Sequence, residues 1–230
     1  MLKLYQYKQG YRYNSDTIFL YNFITQFDLK GSVLDVGCGC GVLGLLLKRD
    51  FNKIALTQID IQERNIALTQ RNAEANKLKT LTLHDDFLTH DFSEKFDCII
   101  SNPPFYNRGA LKSEDPSLYL SRHSDALDFE RFAIKAYRLL KHRGSFLFCY
   151  DAKQIDLLMS KLVAAKFKIN HLQFVHVRAN KEAGLVMVHA RRDSKSLCKT
   201  LPPIILYEGD SLRDEIKNFY IKADTDSEDI

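Results

Sequence analysis

Nowhere do the 230 residues hold the run of about 18 uninterrupted apolar side chains that a membrane-spanning helix requires. The opening residues, Met1-Leu2-Lys3-Leu4-Tyr5-Gln6, lack the apolar stretch of a signal peptide, so a soluble, cytoplasmic protein with no membrane partner is expected. The five cysteines, Cys38, Cys40, Cys98, Cys149 and Cys198, are odd in number and form no CxxC pair. That argues against a disulfide framework and against a zinc site. No two histidines stand at metal-ligand spacing, and no metal is expected. Internal repeats and low-complexity linkers are also missing. What remains is ordinary globular composition, 45% hydrophobic and 27% charged, at a length that suits one large domain or a domain with an extension.

Charge is modestly basic, with 33 Lys and Arg against 29 Asp and Glu. The last residues, Asp224 to Ile230, carry four acids and no base, so the body alone stands at about +8, an excess suited to phosphate contacts. Basic residues gather late in the chain, at Lys161, Lys166, Lys168, Arg178, Lys181, Arg191 and Arg192.

From Gly31 onward, short β-type apolar runs alternate with helical patterns, as in a parallel sheet with crossover helices. Strands are expected at Ser32 to Val36, Lys53 to Asp60, Lys79 to Leu83, Phe96 to Ser101 and Ser145 to Tyr150. Helices are expected at Gln62 to Asn76, Asp125 to Lys141 and Ala152 to Lys166, and the runs Phe167 to Val177 and Leu185 to Arg192 are close enough to pair as an antiparallel hairpin. An extra helix, Asn14 to Phe27, precedes the first strand, with a cap at Asn14 or Ser15. The stretch from Phe105 to Arg122 exceeds an ordinary connection and is suspected of function.

Two segments carry chemistry. The first, Asp35-Val36-Gly37-Cys38-Gly39-Cys40-Gly41, runs from a strand into a glycine-rich turn and then a helix, where a ligand can lie against bare backbone amides. Asp60, at the end of the next strand, suits the ribose hydroxyls of a nucleotide-like cofactor. Gly39 to Gly44 also fits GxGxxG, the dinucleotide fingerprint. Asp35, however, is suited to an amino-acid ammonium and repels a pyrophosphate, which favours S-adenosyl-L-methionine. Asp85, Asp86 and Phe87 follow the third strand, where the acid can accept from an adenine amino group and the ring can pack on it. The second segment is Asn102-Pro103-Pro104-Phe105, directly after an apolar strand. An exocyclic amino group is a poor nucleophile, because its lone pair is delocalised. The Asn102 side-chain carbonyl and the Pro103 backbone carbonyl can accept its two hydrogens, while Phe105 offers a stacking face. Two prolines fix this turn.

These motifs resemble the amino-methylating branch of the class I methyltransferases that use S-adenosylmethionine. The upstream segment Gln9-Gly10-Tyr11-Arg12-Tyr13-Asn14-Ser15-Asp16, then Arg122-His123, and Leu201 to Tyr207 further resemble the bacterial tRNA1(Val) (adenine-N6)-methyltransferase family, which modifies valine tRNA beside its anticodon. The resemblance runs from about residue 6 to about residue 210. It implies an α/β, Rossmann-like three-layer sandwich whose seven-stranded sheet ends in an antiparallel strand. An N-terminal helical extension (1–30) would complete the cofactor and target pocket, ahead of the methyltransferase domain (31–222) and an acidic disordered tail (223–230).

The site implied has Asn102, Pro103, Pro104 and Phe105 at the target base. The cofactor falls to Arg12, Asp16, Asp35, Gly37, Cys38, Gly39, Gly41, Asp60, Ile61, Asp86, Phe87 and Asn102; Arg12 and Asp16 could equally cap and orient the first helix. Arg108, Lys112, Arg122, His123, Arg178 and Lys181 are candidates for RNA phosphates. Two departures from the family stand out: Phe105-Tyr106 reverses the usual Tyr-aromatic order, and Lys141-His142-Arg143-Gly144 replaces Lys-Pro-Gly-Gly. The expected activity is N6-methylation of an adenine in a tRNA anticodon loop, by a monomer. Rivals are N2-methylation of a guanine in ribosomal RNA, N5-methylation of a protein glutamine, an NAD-dependent oxidoreductase, and a catalytically silent RNA-binding protein.

Overall fold

Strand β2 (Ser32–Val36) is buried from Val33 onward, Asp35 included, as a central strand covered on both faces must be. It pairs in parallel with β3 (Ala55–Asp60) on one side and with β5 (Phe96–Ser101) on the other. Beyond β3 lies β4 (Leu81–His84), also parallel. Beyond β5 come β6 (Leu140–Asp151), then β8 (Ala183–Arg191), then β7 (Lys168–His176). Only β8 runs against its neighbours, so the hairpin expected from the two β-rich runs is present. This computed structural model describes residues 1–8, 12–103 and 128–230.

Seven strands, the last of them antiparallel, are present as expected, but among the described residues the sheet has nine. Two short strands, β9 (Lys199–Thr200) and β10 (Ile204–Ile205), add in parallel to the outer edge of β7. Each holds only two residues, too few for a period-2 pattern to register. A small hairpin of β11 (Tyr207–Glu208) and β12 (Ser211–Leu212) follows.

Helices cover both faces. Helix α1 (Ser15–Ile24) begins at Asn14, whose side chain accepts from the Asp16 N–H, and its residues from Thr17 to Ile24 are all buried. A helix apolar on every side belongs inside. It packs on α2 (Val42–Asp50), on α6 (Asp214–Ala223) and on strands β6 and β8. Helix α3 (Glu63–Ala75) lies against β3 and β4. On the opposite face, α4 (Phe129–Leu139) buries Phe129, Phe132, Ala133 and Ala136, a helical stripe, and packs on α5 (Ile155–Ala164). Helix α4 stops at Leu139 because Leu140 already pairs with Phe96. Phe146 and Phe148 of β6 meet Phe132 and Phe129 of α4. Strand alternation therefore turns Leu147 and Cys149 to the α1 face.

Arg143, in the turn that departs from Lys-Pro-Gly-Gly, adopts φ of 59°, a conformation glycine would take at less cost. Arg191 donates twice to its carbonyl. Arg192 likewise donates to the Leu140 and Tyr137 carbonyls, so these two late arginines hold backbone in place.

The acidic tail is not the disordered segment expected. Thr225–Asp229 forms β13, pairing in parallel with β1 (Leu2–Gln6) from Leu2↔Thr225 to Gln6↔Asp229. Cations meet its acids: Lys3 lies 3.4 Å from Glu228, and Arg12 grips both Asp229 oxygens at 2.8 and 3.0 Å. Charge patterning identified the acids, but the partner strand lies over 200 residues away in sequence. The N-terminal extension accordingly contains a strand as well as a helix.

His189 on β8 is buried, 3.2 Å from the ring nitrogen of His171 and against Phe27, with Ser145 on its other nitrogen. Burial, then His171 and Arg191, push its pKa down to about 3. The unfolded chain takes up a proton near pH 6.5 that the native chain refuses, so this site's stability is complete above that pH and drains as pH falls towards 3. Urea unfolding from pH 7.5 to 5 should show wild type losing about 1.4 kcal/mol per pH unit below 6.5 relative to His189→Asn. Parallel pH profiles for the two proteins would exclude this assignment.

Candidate active site

The chain leaves β2 in one direction, to β3 and β4, and later returns through β5 to build the other half of the sheet. The strand order thus reverses between β2 and β5, the place where open α/β sheets form a ligand crevice beyond their carboxyl ends. Val36 pairs with Ser101 in that ladder, and the Ser101 hydroxyl donates to the Val36 carbonyl at 2.8 Å. The next residue on one strand is Gly37 and on the other is Asn102. The glycine turn and the Asn-Pro segment therefore emerge side by side, about one strand spacing (~4.8 Å) apart.

Gly37, Gly39 and Gly41 adopt φ of 67°, 56° and 82°, a region closed to most side chains. A Cβ on Gly37 would meet nothing within 4 Å, so the Cα side of the turn faces open space, while its N–H groups are turned inward: those of Gly37 and Cys38 donate to the Ile59 carbonyl at 2.9 and 3.2 Å, and that of Gly41 to the Cys38 carbonyl. Asp60 organises the turn. One of its oxygens accepts from the Gly39 N–H at 2.9 Å, the other from the Gln62 N–H and the Asn65 amide at 2.9 and 3.1 Å. A carboxylate has about four acceptor positions, so roughly one is left for a ribose hydroxyl rather than the pair expected. Thr69 closes the turn from α3 by donating to the Gly39 carbonyl.

Asp35 is 1% exposed and accepts from the Gly44 N–H and the Gln58 amide, both at 3.1 Å. Burial outweighs these bonds and, with Asp60 nearby, pushes its pKa up to about 7. Asp60, 7% exposed, is also raised by burial. No Lys or Arg among the described residues forms an ion pair with either acid. Two buried carboxylates without a cation, beside a turn whose Gly37, Cys38, Gly39 and Gly41 N–H groups are already bonded within the protein, fit a ligand that brings positive charge and hydroxyls, and reject a pyrophosphate.

Asp35, Gly37, Cys38, Tyr13, Thr17 and Asn102 line one small cleft, of about 20 Å³. Asn102 is held from two sides. Its amide nitrogen donates to the Thr17 hydroxyl at 3.1 Å, and its carbonyl oxygen accepts from the Cys149 thiol at 2.9 Å. Burial raises the Cys149 pKa well above its usual value, so the sulfur keeps its proton. Asp16 is half-buried at the same helix start; burial raises its pKa, and Asn14 and Ser15 hydrogen-bond it.

The structure brings together Asp35, Gly37, Cys38, Gly39, Gly41, Asp60 and Asn102. Ile61, 52% exposed, stands beside Asp60 as an apolar platform. Phe87 is corrected: at 4% exposed it packs edge-on against Phe132, so its ring belongs to the core. Asp86 holds its own turn, accepting from the Leu88 N–H, while Asp85 is paired to His90. Arg12, expected at the cofactor, is engaged by Asp229. Arg178 pairs with exposed Asp210, and the turn carrying it and Lys181 joins β7 to β8 on the carboxyl edge of the sheet, three strands from β5. Pro104, Phe105, Arg108, Lys112, Arg122 and His123 lie outside the described residues.

Sequence reasoning missed Thr17, Gln58, Thr69, Asn72 and Cys149. Cys149 sat inside an apolar strand run and read as core, and the four polar residues carry no motif. The Gln58 alternation in β3, a polar residue between Leu56 and Ile59, was the one available signal.

This architecture and crevice define a class I, Rossmann-like methyltransferase fold. A family model described as methyltransferase small domain matches residues 14–154, and the chain belongs to that family, whose methyl donor is S-adenosylmethionine. It is similar to the ribosomal RNA small subunit methyltransferase C of Haemophilus ducreyi, 41% identical over 90 residues, 39% of this chain and 27% of that protein. It is also similar to the tRNA1(Val) (adenine(37)-N6)-methyltransferase of Dyadobacter fermentans, 26% identical over 199 residues, 83% of this chain and 82% of the relative. The chain spans only about a quarter of the length of the relatives it matches at the highest identity. Among solved structures, a predicted O-methyltransferase from Agrobacterium tumefaciens superposes with a TM-score of 0.69 at 15% identity, covering 94% of this chain and all of that one.

Gly44 tests the packing behind the turn. A Cβ there would stand 2.7 Å from the Gln58 amide nitrogen and 2.8 Å from an Asp35 oxygen. Gly44→Ala should lower stability by about 1–2 kcal/mol in denaturant titration, because overpacking outweighs the ~1 kcal/mol gain in helix propensity. A variant more stable than wild type would mean that both side chains yield freely.

Proposed function

We propose that the chain methylates the N6 amino group of an adenine in the anticodon loop of a tRNA, next to the anticodon of a valine tRNA. The observation that carries a base-amino acceptor is the adjacency of Gly37 and Asn102 across the Val36–Ser101 pair. It sets a carboxamide beside the cofactor turn at the reactive edge of the sheet. The tRNA reading is supported by the Dyadobacter fermentans relative, aligned over four-fifths of both chains, and by the basic body of the sequence.

S-adenosylmethionine supplies an electrophilic methyl group on a sulfonium. Asp35 would hold the ammonium of such a ligand, Asp60 would accept from a ribose hydroxyl, and Ile61 and the Asp86 turn would flank the adenine. At the acceptor, Asn102 Oδ1 and the Pro103 carbonyl take the two amino hydrogens. The nitrogen lone pair is thereby localised and aimed at the cofactor turn. No strong base is needed, because the methylated nitrogen is acidic and loses its proton afterwards. Arg178 and Lys181, on the same edge of the sheet, meet phosphates; the target base stacks on Phe105.

A second reading, N2-methylation of a guanine in ribosomal RNA, is favoured by the 41% local identity to the Haemophilus ducreyi relative. Incubation with S-adenosylmethionine and unmodified total RNA, followed by nucleoside mass spectrometry, separates the two. N6-methyladenosine confined to the tRNA fraction is expected, and N2-methylguanosine would transfer the assignment to the second reading.

Asn102→Ala should lower kcat by at least about a hundredfold, the scale of losing one aligned transition-state acceptor, while calorimetry finds the cofactor affinity unchanged. Wild-type turnover in that variant would remove Asn102 from the chemistry. Asp35 adds a pH dependence. It must be ionised to hold a cation, and its pKa stands near 7, so S-adenosylmethionine affinity should fall about tenfold per pH unit as pH drops below that value. Asp35→Asn should bind weakly with no such slope; a retained slope would place the titrating group elsewhere.

A further inference from the structure

The Asn102 carboxamide has an acceptor end and a donor end of nearly the same shape, so only its neighbours decide which end meets the substrate. A reversed amide would point N–H groups at the hydrogens of the target amino group, which opposes the alignment that activates it. Two residues from distant parts of the chain hold it in the orientation seen; the Thr17 hydroxyl can serve either end, so the preference comes from the thiol, a better donor than acceptor. Thr17, on the first turn of α1, accepts from Nδ2, and Cys149, on β6, donates to Oδ1. Their positions follow from the fold. Ser101 pairs with Phe148, so Cys149 comes level with Asn102, and strand alternation turns it to the α1 face where Thr17 lies. Both side chains are buried, Cys149 completely. A buried thiol keeps its proton, so it donates throughout the neutral range.

We propose that Cys149 and Thr17 are positioning residues for the methyl transfer, fixing the Asn102 carboxamide so that one Oδ1 lone pair is held by the thiol and the other is free for the acceptor amino group. The proposal rests on the reading of Asn102 as the residue that receives that amino group. Neither side chain touches the reacting atoms, and each acts through Asn102. Hydroxyl substitutes should therefore serve: a serine at either position keeps the donor or acceptor, whereas Cys149→Ala and Thr17→Val remove it at little cost in volume.

The test is steady-state methyl transfer to unmodified tRNA with the full chain, alongside calorimetric S-adenosylmethionine affinity and thermal melting. Cys149→Ala and Thr17→Val should each lower kcat roughly five- to tenfold, the scale of one lost hydrogen bond. The KM for tRNA and the cofactor affinity should stay at wild-type values, and Cys149→Ser and Thr17→Ser should restore kcat to within about twofold. A merely structural role would instead lower melting temperature and cofactor affinity together, with no rescue by serine, and would overturn the proposal. Because the two positions lie on different elements, a folding failure in one variant leaves the other to decide. Wild-type kcat in both Cys149→Ala and Thr17→Val overturns the proposal alone. Wild-type turnover in Asn102→Ala overturns the reading beneath it as well, whereas transfer to ribosomal RNA or protein instead of tRNA overturns only the tRNA assignment, and the same variants then decide the proposal on that acceptor.

Discussion

The pairing of Val36 with Ser101 is the constraint on which the site depends. A shift of one residue in that ladder would turn Asp35 to the other face of the sheet and move Asn102 along its strand by about 3.3 Å, separating acceptor from cofactor turn. Register here is secured twice. The buried apolar residues of both strands must stay covered, and the Ser101 hydroxyl clasps the Val36 carbonyl itself. A methyl transfer needs reacting atoms in contact and in line, and a central parallel pair is among the stiffest places on which to mount them. The large sheet around it, with helices on both faces, braces that pair.

Once the pair is fixed, the acids divide the work by burial. Asp60 uses most of its acceptor capacity on protein donors, tying Gly39 to the start of α3, so it is first a part of the scaffold. Asp35 has two donors on one oxygen and a pKa near neutrality, which marks a carboxylate short of compensating charge. A fully satisfied acid would have little to offer a cation. One scaffold acid beside one under-compensated acid is what a cationic, hydroxyl-bearing ligand requires.

Much of this was legible in the sequence, because the signals are local. Strand-turn-helix chemistry at Val33 to Leu47, the acid ending β3 and the Asn-Pro pair after β5 are each contiguous, and the succession of strands and helices follows from the alternation of periods. The unread parts depend on distant encounters. Thr17 and Cys149 are 132 positions apart in the numbering and both reach Asn102 only because α1 covers one face of β6. Phe87 was read as a stacking ring from its place after an acid, but core packing against Phe132 claimed it. The tail was read from composition as solvated, since four acids without a base predict repulsion, and only the cations of the N-terminal segment reverse that.

That reversal ties the two ends of the chain to the site. Strand β1 is bonded along one edge by β13, while on its other side the Asn72 side chain accepts from the Tyr5 N–H and donates to the Tyr5 carbonyl, as a neighbouring strand would. The same Asn72 amide donates to the Cys40 carbonyl inside the glycine turn. Tyr13, which lines the cleft, is held by Gln6 of β1 through its backbone and by Thr225 and Ser227 of β13 through its hydroxyl. The acidic strand, β1, α3 and the cofactor turn therefore form one hydrogen-bonded series. Its outer members are exposed and charge-dependent, worth little singly and sensitive to salt, and its inner members are buried amide bonds that are costly to break. Rigidity thus increases from the exposed Arg12–Asp229 ion pair at the outer edge to the buried Asn72 amide at the turn.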